Sequence, residues 1–173
     1  HGRLAFYHAL SKITFVVKMG NGFSESEFLF NSGTNIRLEN FYTKNTLFNI
    51  AMGEFTGAYS GEVIQTMAQS GSAATGYTLE ALVMPTTDLS TAVKGDIDFT
   101  IAHNHYQLSK ADLLEKINEA GKTDYLADGK RLKPGVNYIF TLTIGKTGVD
   151  NITATVLEWE TVNANELKPS NAK

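Results

Sequence analysis

Apolar and polar residues alternate with a period of two at both ends of the chain. Near the start, Leu4-Ala-Phe-Tyr-His-Ala-Leu-Ser-Lys-Ile-Thr-Phe-Val-Val17 puts Phe6, His8 and Leu10 on one parity and Ile13, Phe15 and Val17 on the other. Successive strand side chains face opposite sides, so the switch near Leu10-Ser11-Lys12 predicts a bulge or bend that moves the chain between sheets. Near the end, Tyr138, Phe140, Leu142 and Ile144 alternate with Ile139, Thr141 and Thr143. Gly145 to Asn151 reads as a turn, and Ile152 to Trp159 as the returning antiparallel partner.

Between the ends the pattern predicts more short strands. Met19-Gly-Asn-Gly22 is a turn signal. Phe28 to Phe30 is short and apolar, Ile36-Arg-Leu-Glu alternates, and Thr46-Leu-Phe-Asn-Ile50 is another candidate strand. Tyr77 to Met84 carries Leu79, Ala81 and Val83 on one face, and Pro85 ends it. Asp96 to Ile101 alternates most cleanly, with Ile97, Phe99 and Ile101 inward and Asp96 and Asp98 on the solvent face. The period then changes. Ser109 as cap, Asp112 three residues on, and the stripe Leu113, Leu114 and Ile117 predict a helix that Gly121 stops. Gly53 to Gly76, rich in Gly, Ser, Ala and Thr, reads as a long loop with one short strand at Glu62 to Met67. Loops of this length are uncommon unless functional or mobile. Short strands between turn signals predict a mainly β chain, a sandwich with one short helix near 110–120. Residues 1–162 read as one lobe and 163–173 as a polar tail.

Composition narrows the function. The chain's 173 residues suit one domain with a real core, and 42% hydrophobic with 19% charged residues suit a globular protein. A net charge of −3 and scattered Lys and Arg argue against nucleic-acid binding. The absence of cysteine excludes disulfides, thiolate metal sites and a cysteine nucleophile. No apolar run approaches the roughly 20 residues of a membrane helix. A start at His1 rather than Met reads as a processed end.

Candidate chemistry is sparse. His103-Asn-His105 would put two imidazoles on one strand face, but no third ligand is near in sequence, so the segment reads as a strand end or turn. His8, amid apolar residues, reads as a boundary residue rather than a base. No Gly-x-Ser-x-Gly elbow exists. Asn151-Ile-Thr153 matches a glycosylation sequon. Tyr59, inside the Gly-rich segment, is the tyrosine least explained by core packing. Trp159, the only tryptophan, reads as a packing anchor. No cofactor or metal is expected. A hydrolase would require two carboxylates or a histidine pair brought together by the fold.

The end segments resemble the fimbrillin family of Bacteroidales pilus proteins. Phe6-Tyr-His-Ala-Leu-Ser-Lys-Ile-Thr-Phe15 is similar to the element that opens the second of two lobes. Asn137 to Ile144 and Ala154-Thr-Val-Leu-Glu-Trp159 are similar to its closing strands, and Thr78 to Pro85 fits its strand-then-proline pattern. The resemblance implies a transthyretin-like Greek-key sandwich, secretion as a lipoprotein, and a place in a fimbrium at the outer membrane. It further implies a non-enzymatic subunit or accessory component that joins other subunits, or itself, by strand exchange after cleavage following an Arg. A complete first lobe, the lipidated Cys and the usual processing site are missing. The expectation is an isolated second lobe, with His1-Gly-Arg3 as a cleavage remnant and no membrane contact except through an anchor this chain lacks. Strand exchange makes Ile152 to Val162 the better donor segment, with Ile152, Ala154, Val156, Leu157 and Trp159 as the assembly residues, because the tail beyond Val162 is too polar to be a strong donor. The alternative is a surface adhesin or glycan-binding module using the 53–76 loop and Tyr59 against a host or bacterial glycan or protein.

Overall fold

The alternating segments pair into two main sheets whose apolar faces share one core. The computed structural model describes residues 5–6, 8–30, 36–62, 64–65, 68–159 and 162–163. The larger sheet has the order Gly148–Glu158, Val136–Gly145, Ser11–Met19, Gly76–Val83, Ala68–Ser72. Val136–Gly145 runs parallel to Ser11–Met19, with Phe140 opposite Phe15, and the other neighbours are antiparallel. The smaller sheet has the order Asn104–Leu108, Ile97–Ile101, Arg37–Leu38, Ile64–Gln65. The molecule is a mainly β sandwich.

The period-two pattern sorts the core as expected. Ile13, Phe15, Val17, Leu79, Ala81, Val83, Tyr138, Phe140, Leu142 and Ile144 are buried from the larger sheet, and Ile97, Phe99, Ile101 and Tyr106 from the smaller. Tyr106 ties the layers together: its hydroxyl donates to the Gly145 carbonyl at 2.8 Å. The parity switch near Leu10 is real. Ala5–Phe6 pairs with Val162–Asn163 in a separate two-stranded sheet, and the chain then bends into Ser11–Met19. Residues 1–4 and 164–173, which hold the expected cleavage remnant and nearly all of the polar tail, lie outside the described residues.

The helix spans Lys110–Glu119 with a complete capping box. Asp112 N donates to Ser109 Oγ, and Ser109 N donates to the Asp112 carboxylate. Leu113 and Ile117 are buried. Gly121 follows at φ +66°, the left-handed conformation that ends a helix readily.

Three expectations are corrected. Residues 53–76 do not form one long loop with a single strand. They hold Glu54–Phe55, Tyr59–Gly61, Ile64–Gln65 and Ala68–Ser72. The glycines that read as loop serve close strand contact: a Cβ at Gly57 would strike Thr46 Oγ1, and one at Gly71 (φ +93°) would strike the Gly76 carbonyl. Thr46 to Ile50 is a strand over two residues only. Only Phe48–Asn49 pairs, and Leu47 and Ile50 are exposed. Asp96 does not face solvent. It precedes the Ile97–Ile101 strand, turns inward and is 1% exposed.

Candidate assembly edge and binding groove

The returning strand Gly148–Glu158 is the edge of the larger sheet. Tight turning at Gly145–Gly148 and a register shift at Thr143/Ile144 launch it. Asp150 anchors the turn, accepting from Asn21 N at 2.9 Å. From Asn151 to Leu157 no charged residue and no proline interrupts the strand. Val156, opposite Tyr138, is buried, and Ile152 and Ala154 are half-buried on the same face, where the helix packs beside them. Thr153, Thr155 and Leu157 point to the outer face and are exposed. Among the described residues no strand pairs with the other side of this edge. Free N–H and C=O groups there form a template for an added strand.

Trp159 lies just past the strand. Its backbone N–H donates to the Gly135 carbonyl at 2.7 Å. Its indole stacks on the His8 ring with centroids 3.8 Å apart and 11° between planes. Lys12 Nζ sits 5.8 Å from the indole centre. His8 is therefore a packing partner of the anchor. Beside this stack, Asp124, Tyr125, Lys133 and Glu158 help to line a cleft of about 580 Å³. Tyr138 supports its floor: the hydroxyl donates to the Tyr125 carbonyl at 2.6 Å and accepts from Lys133 N, and burial pushes its pKa up to about 12.

Residues 42–61 form a second feature, a long hairpin. Tyr42–Asn45 pairs with Tyr59–Gly61, and Phe48–Asn49 with Glu54–Phe55. Asn45 braces it, since its side-chain amide donates to the Gly57 carbonyl at 2.8 Å and its Oδ1 accepts from Leu47 N at 2.9 Å. Leu47, Phe48, Ile50 and Met52 are exposed at the tip, Ile50 at 89%. The strand pattern hid this cluster. Its signal was an uncharged run, Leu47-Phe-Asn-Ile-Ala-Met-Gly53, with no alternation to bury it. Tyr59 does not sit on a free loop. It is half-buried, with its ring 5.5 Å from that of Tyr42.

Two cavities lie under the hairpin. One of about 620 Å³ is lined by residues including Ala9, Leu10, Phe48, Phe55 and Met84. The other, about 250 Å³, is lined by residues including Phe55, Tyr59, Pro85 and Pro134. Thr43 Oγ1 lies beside the first and Thr86 Oγ1 beside the second. Both are buried without a hydrogen-bond partner among the described residues.

The histidine pair is split by its turn. Ala102 and His103 both take positive φ, +48° and +67°, which is a two-residue hairpin turn. His105, on the next strand, pairs with Asp98 at 2.6 Å. Among the described residues no group of three His, Cys, Asp or Glu is placed to hold a metal. Among the same residues no helix is long and apolar enough to cross a membrane.

The fold is shared with two candidate cell adhesion proteins of known structure. One, from Bacteroides uniformis, superposes with a TM-score of 0.59 at 20% identity over 89% of this chain and 52% of its own. The other, from Bacteroides ovatus, gives 0.53 at 17% identity over 88% of this chain and 46% of its own. The chain thus spans about half the length of the solved structures it matches. No curated protein matches the sequence. The fimbrillin-like profile matches residues 3–159, nearly all of the described sandwich. The chain belongs to the fimbrillin-like family.

Proposed function

We propose that this chain is a non-enzymatic structural or accessory subunit of a surface fimbria, and that it joins neighbours by strand addition at Gly148–Glu158. Family membership supports a fimbrial and adhesive role at the cell surface. The observation that carries the finer reading is the edge strand itself. Native sheets usually blunt an exposed edge with lysine, proline or a covering element. Here charge is confined to Asp150 and Glu158 at the ends, and Ile152 to Leu157 is uncharged and rich in β-branched residues. In this reading Ile152, Ala154 and Val156 fix the strand on its own core, while its outer backbone groups receive a neighbour's extended segment. Val162–Asn163 is engaged with Ala5–Phe6, so the donated segment comes from elsewhere in the neighbour rather than from a continuation of this strand. A lipid anchor and outer-membrane attachment belong to the same reading.

The test is polymerisation with a blocked edge. Subunits carrying Thr153→Lys and Thr155→Lys should fold normally and fail to enter filaments, because two charges would face an incoming strand. Filaments of wild-type length from this variant would refute the edge assignment.

A second reading has its own support. The apolar hairpin tip and the grooves beneath it suit adhesion to a protein or glycan partner, because a rigid sandwich presenting an uncovered apolar finger is a common binding design. Ile50→Ser with Met52→Ser should reduce adhesion to the target surface and leave filament assembly intact. Unchanged adhesion would remove this reading and leave the first untouched.

A further inference from the structure

The two cavities under the hairpin adjoin, because Ala9 and Phe55 line both. Each also holds a threonine whose buried hydroxyl has no hydrogen-bond partner among the described residues, Thr43 in the larger and Thr86 in the smaller. A buried hydroxyl left unpaired destabilises a fold. Thr86 carries a second cost. Its φ is +70°, in the left-handed region that a β-branched residue rarely adopts. The backbone around it is held there. Thr86 N donates to the Leu132 carbonyl at 2.8 Å, and Thr87 Oγ1 accepts from Tyr42 N at 3.2 Å and donates to the Met84 carbonyl at 3.0 Å. Glycine would take this conformation without strain and would bury no hydroxyl. A threonine that folding disfavours on two counts, set in a cavity wall, points to a ligand that uses its hydroxyl.

The rest of the lining indicates the ligand's chemistry. Phe55 and Tyr59 are half-buried and offer ring surface, and Pro85 and Pro134 add apolar wall. Lys44, in the larger cavity, is already paired with Glu62, so no free cation there favours an anion. Asn45 is committed at both ends, to the Gly57 carbonyl and to Leu47 N. The polar groups left are the two threonine hydroxyls and the exposed carboxylate of Glu54 at the rim of the smaller cavity.

We propose that the joined cavities bind a neutral saccharide. One ring packs its C–H face on Phe55 and Tyr59 and bonds Thr86 Oγ1 and Glu54 through its hydroxyls, and the next ring reaches Thr43 Oγ1. A sugar hydroxyl donates and accepts, which is what a threonine hydroxyl needs, and it can donate to a carboxylate that only accepts. An extended peptide fits less well, because its backbone groups call for an open strand edge, and the groups offered here are side-chain hydroxyls. The larger cavity, about 620 Å³, falls within the roughly 300–1,000 Å³ of small-molecule sites, and the smaller, about 250 Å³, extends it. The inference rests on the adhesive reading of the hairpin side and names the chemistry its groove takes.

Saturation-transfer NMR of the full chain with four neutral disaccharides, lactose, cellobiose, mannobiose and chitobiose, tests this, with Thr86→Val and Thr43→Val as variants. Valine keeps the branched shape, so both should fold, with melting temperatures equal to or above wild type because an unpaired hydroxyl is gone. At least one disaccharide should bind the wild-type chain, and Thr86→Val should weaken that binding about tenfold, the contribution of one hydrogen bond. Absence of binding by all four would overturn the proposal. So would unchanged binding in both variants, or a lower melting temperature in Thr86→Val, which would assign its hydroxyl to the fold. Adhesion lost in Ile50→Ser with Met52→Ser while no disaccharide binds would sink the saccharide and leave the adhesive reading standing. Disaccharide binding lost in Thr86→Val while adhesion ignores the tip would support the saccharide site and remove the tip.

Discussion

His8 stacks on Trp159 at 3.8 Å, and this contact holds together the two segments that carry the clearest sequence signals. It sits where the chain bends before Ser11–Met19 and where Gly148–Glu158 ends. A stacked pair contributes about 0.5–1.5 kcal/mol beyond its area burial. Trp159→Ala should therefore destabilise the fold by about 2 kcal/mol, read as a lower denaturant midpoint with an unchanged slope. His8→Ala should cost about 1 kcal/mol by the same contact, and intrinsic fluorescence from the single tryptophan should report the change. Equal stability of both variants and wild type would show that the stack carries no load.

The capping box sets the helix that packs beside the edge strand. Ser109→Ala removes the acceptor for Asp112 N, which should cost about 1 kcal/mol. Ser109→Thr should recover most of it, because a hydroxyl caps the same donor and keeps the bond donated to the Asp112 carboxylate. Thermal melts of the two variants check the order.

Acid should weaken the fold through two carboxylates. The hydrogen bond from Lys146, with Ser24, holds the Glu27 pKa at about 2 rather than 4.5. The Ser90 hydroxyl, with Lys130, holds Asp88 at about 2 rather than 3.8. Both folded values lie below the unfolded ones, so the stabilisation is present above pH 4.5 and is lost as pH falls towards 2. Glu27→Gln should flatten the fall of stability with pH in that window. High salt should shrink the difference, because the pair is exposed. Parallel pH profiles for wild type and variant would contradict the assignment.

The hairpin tip should be dispensable for folding. Ile50→Ser and Met52→Ser remove side chains that are already exposed, so each should shift stability by less than about 0.5 kcal/mol. Binding of an apolar dye to the native protein should fall. A large loss of stability would mean that the tip is packed rather than presented.

Much of the fold was legible because its core strands obey a strict period. Ile97, Phe99 and Ile101, and Tyr138 to Ile144, could be assigned to a buried face from parity alone. Ser109 and Asp112 announced the helix by chemistry that acts over three residues. The Gly53 to Gly76 region misled for a physical reason: glycine signals both free turning and close backbone approach, and only the partner strand distinguishes them. Thr46 to Ile50 misled because its apolar residues face solvent. Asp96 misled because alternation extends only as far as the strand, and Asp96 stands one residue before it. Asp96 accepts from the Asn40 side-chain amide at 2.8 Å and lies 3.8 Å from Lys110 Nζ, partners so far apart in sequence that no local pattern could have joined them. The edge strand was legible as a strand, whereas its position at the sheet margin depends on which segments pair across the whole chain.

The central claim is that Gly148–Glu158 receives a neighbour's strand. Hydrogen exchange of the amides from Asn151 to Leu157, compared between isolated subunits and native filaments, tests it most directly. In the subunit, alternate amides bond to Val136–Gly145 and exchange slowly, while those facing outward exchange fast. The account predicts that the fast set becomes protected in filaments. If the same alternate amides remain fast in filaments, this edge is not where subunits join.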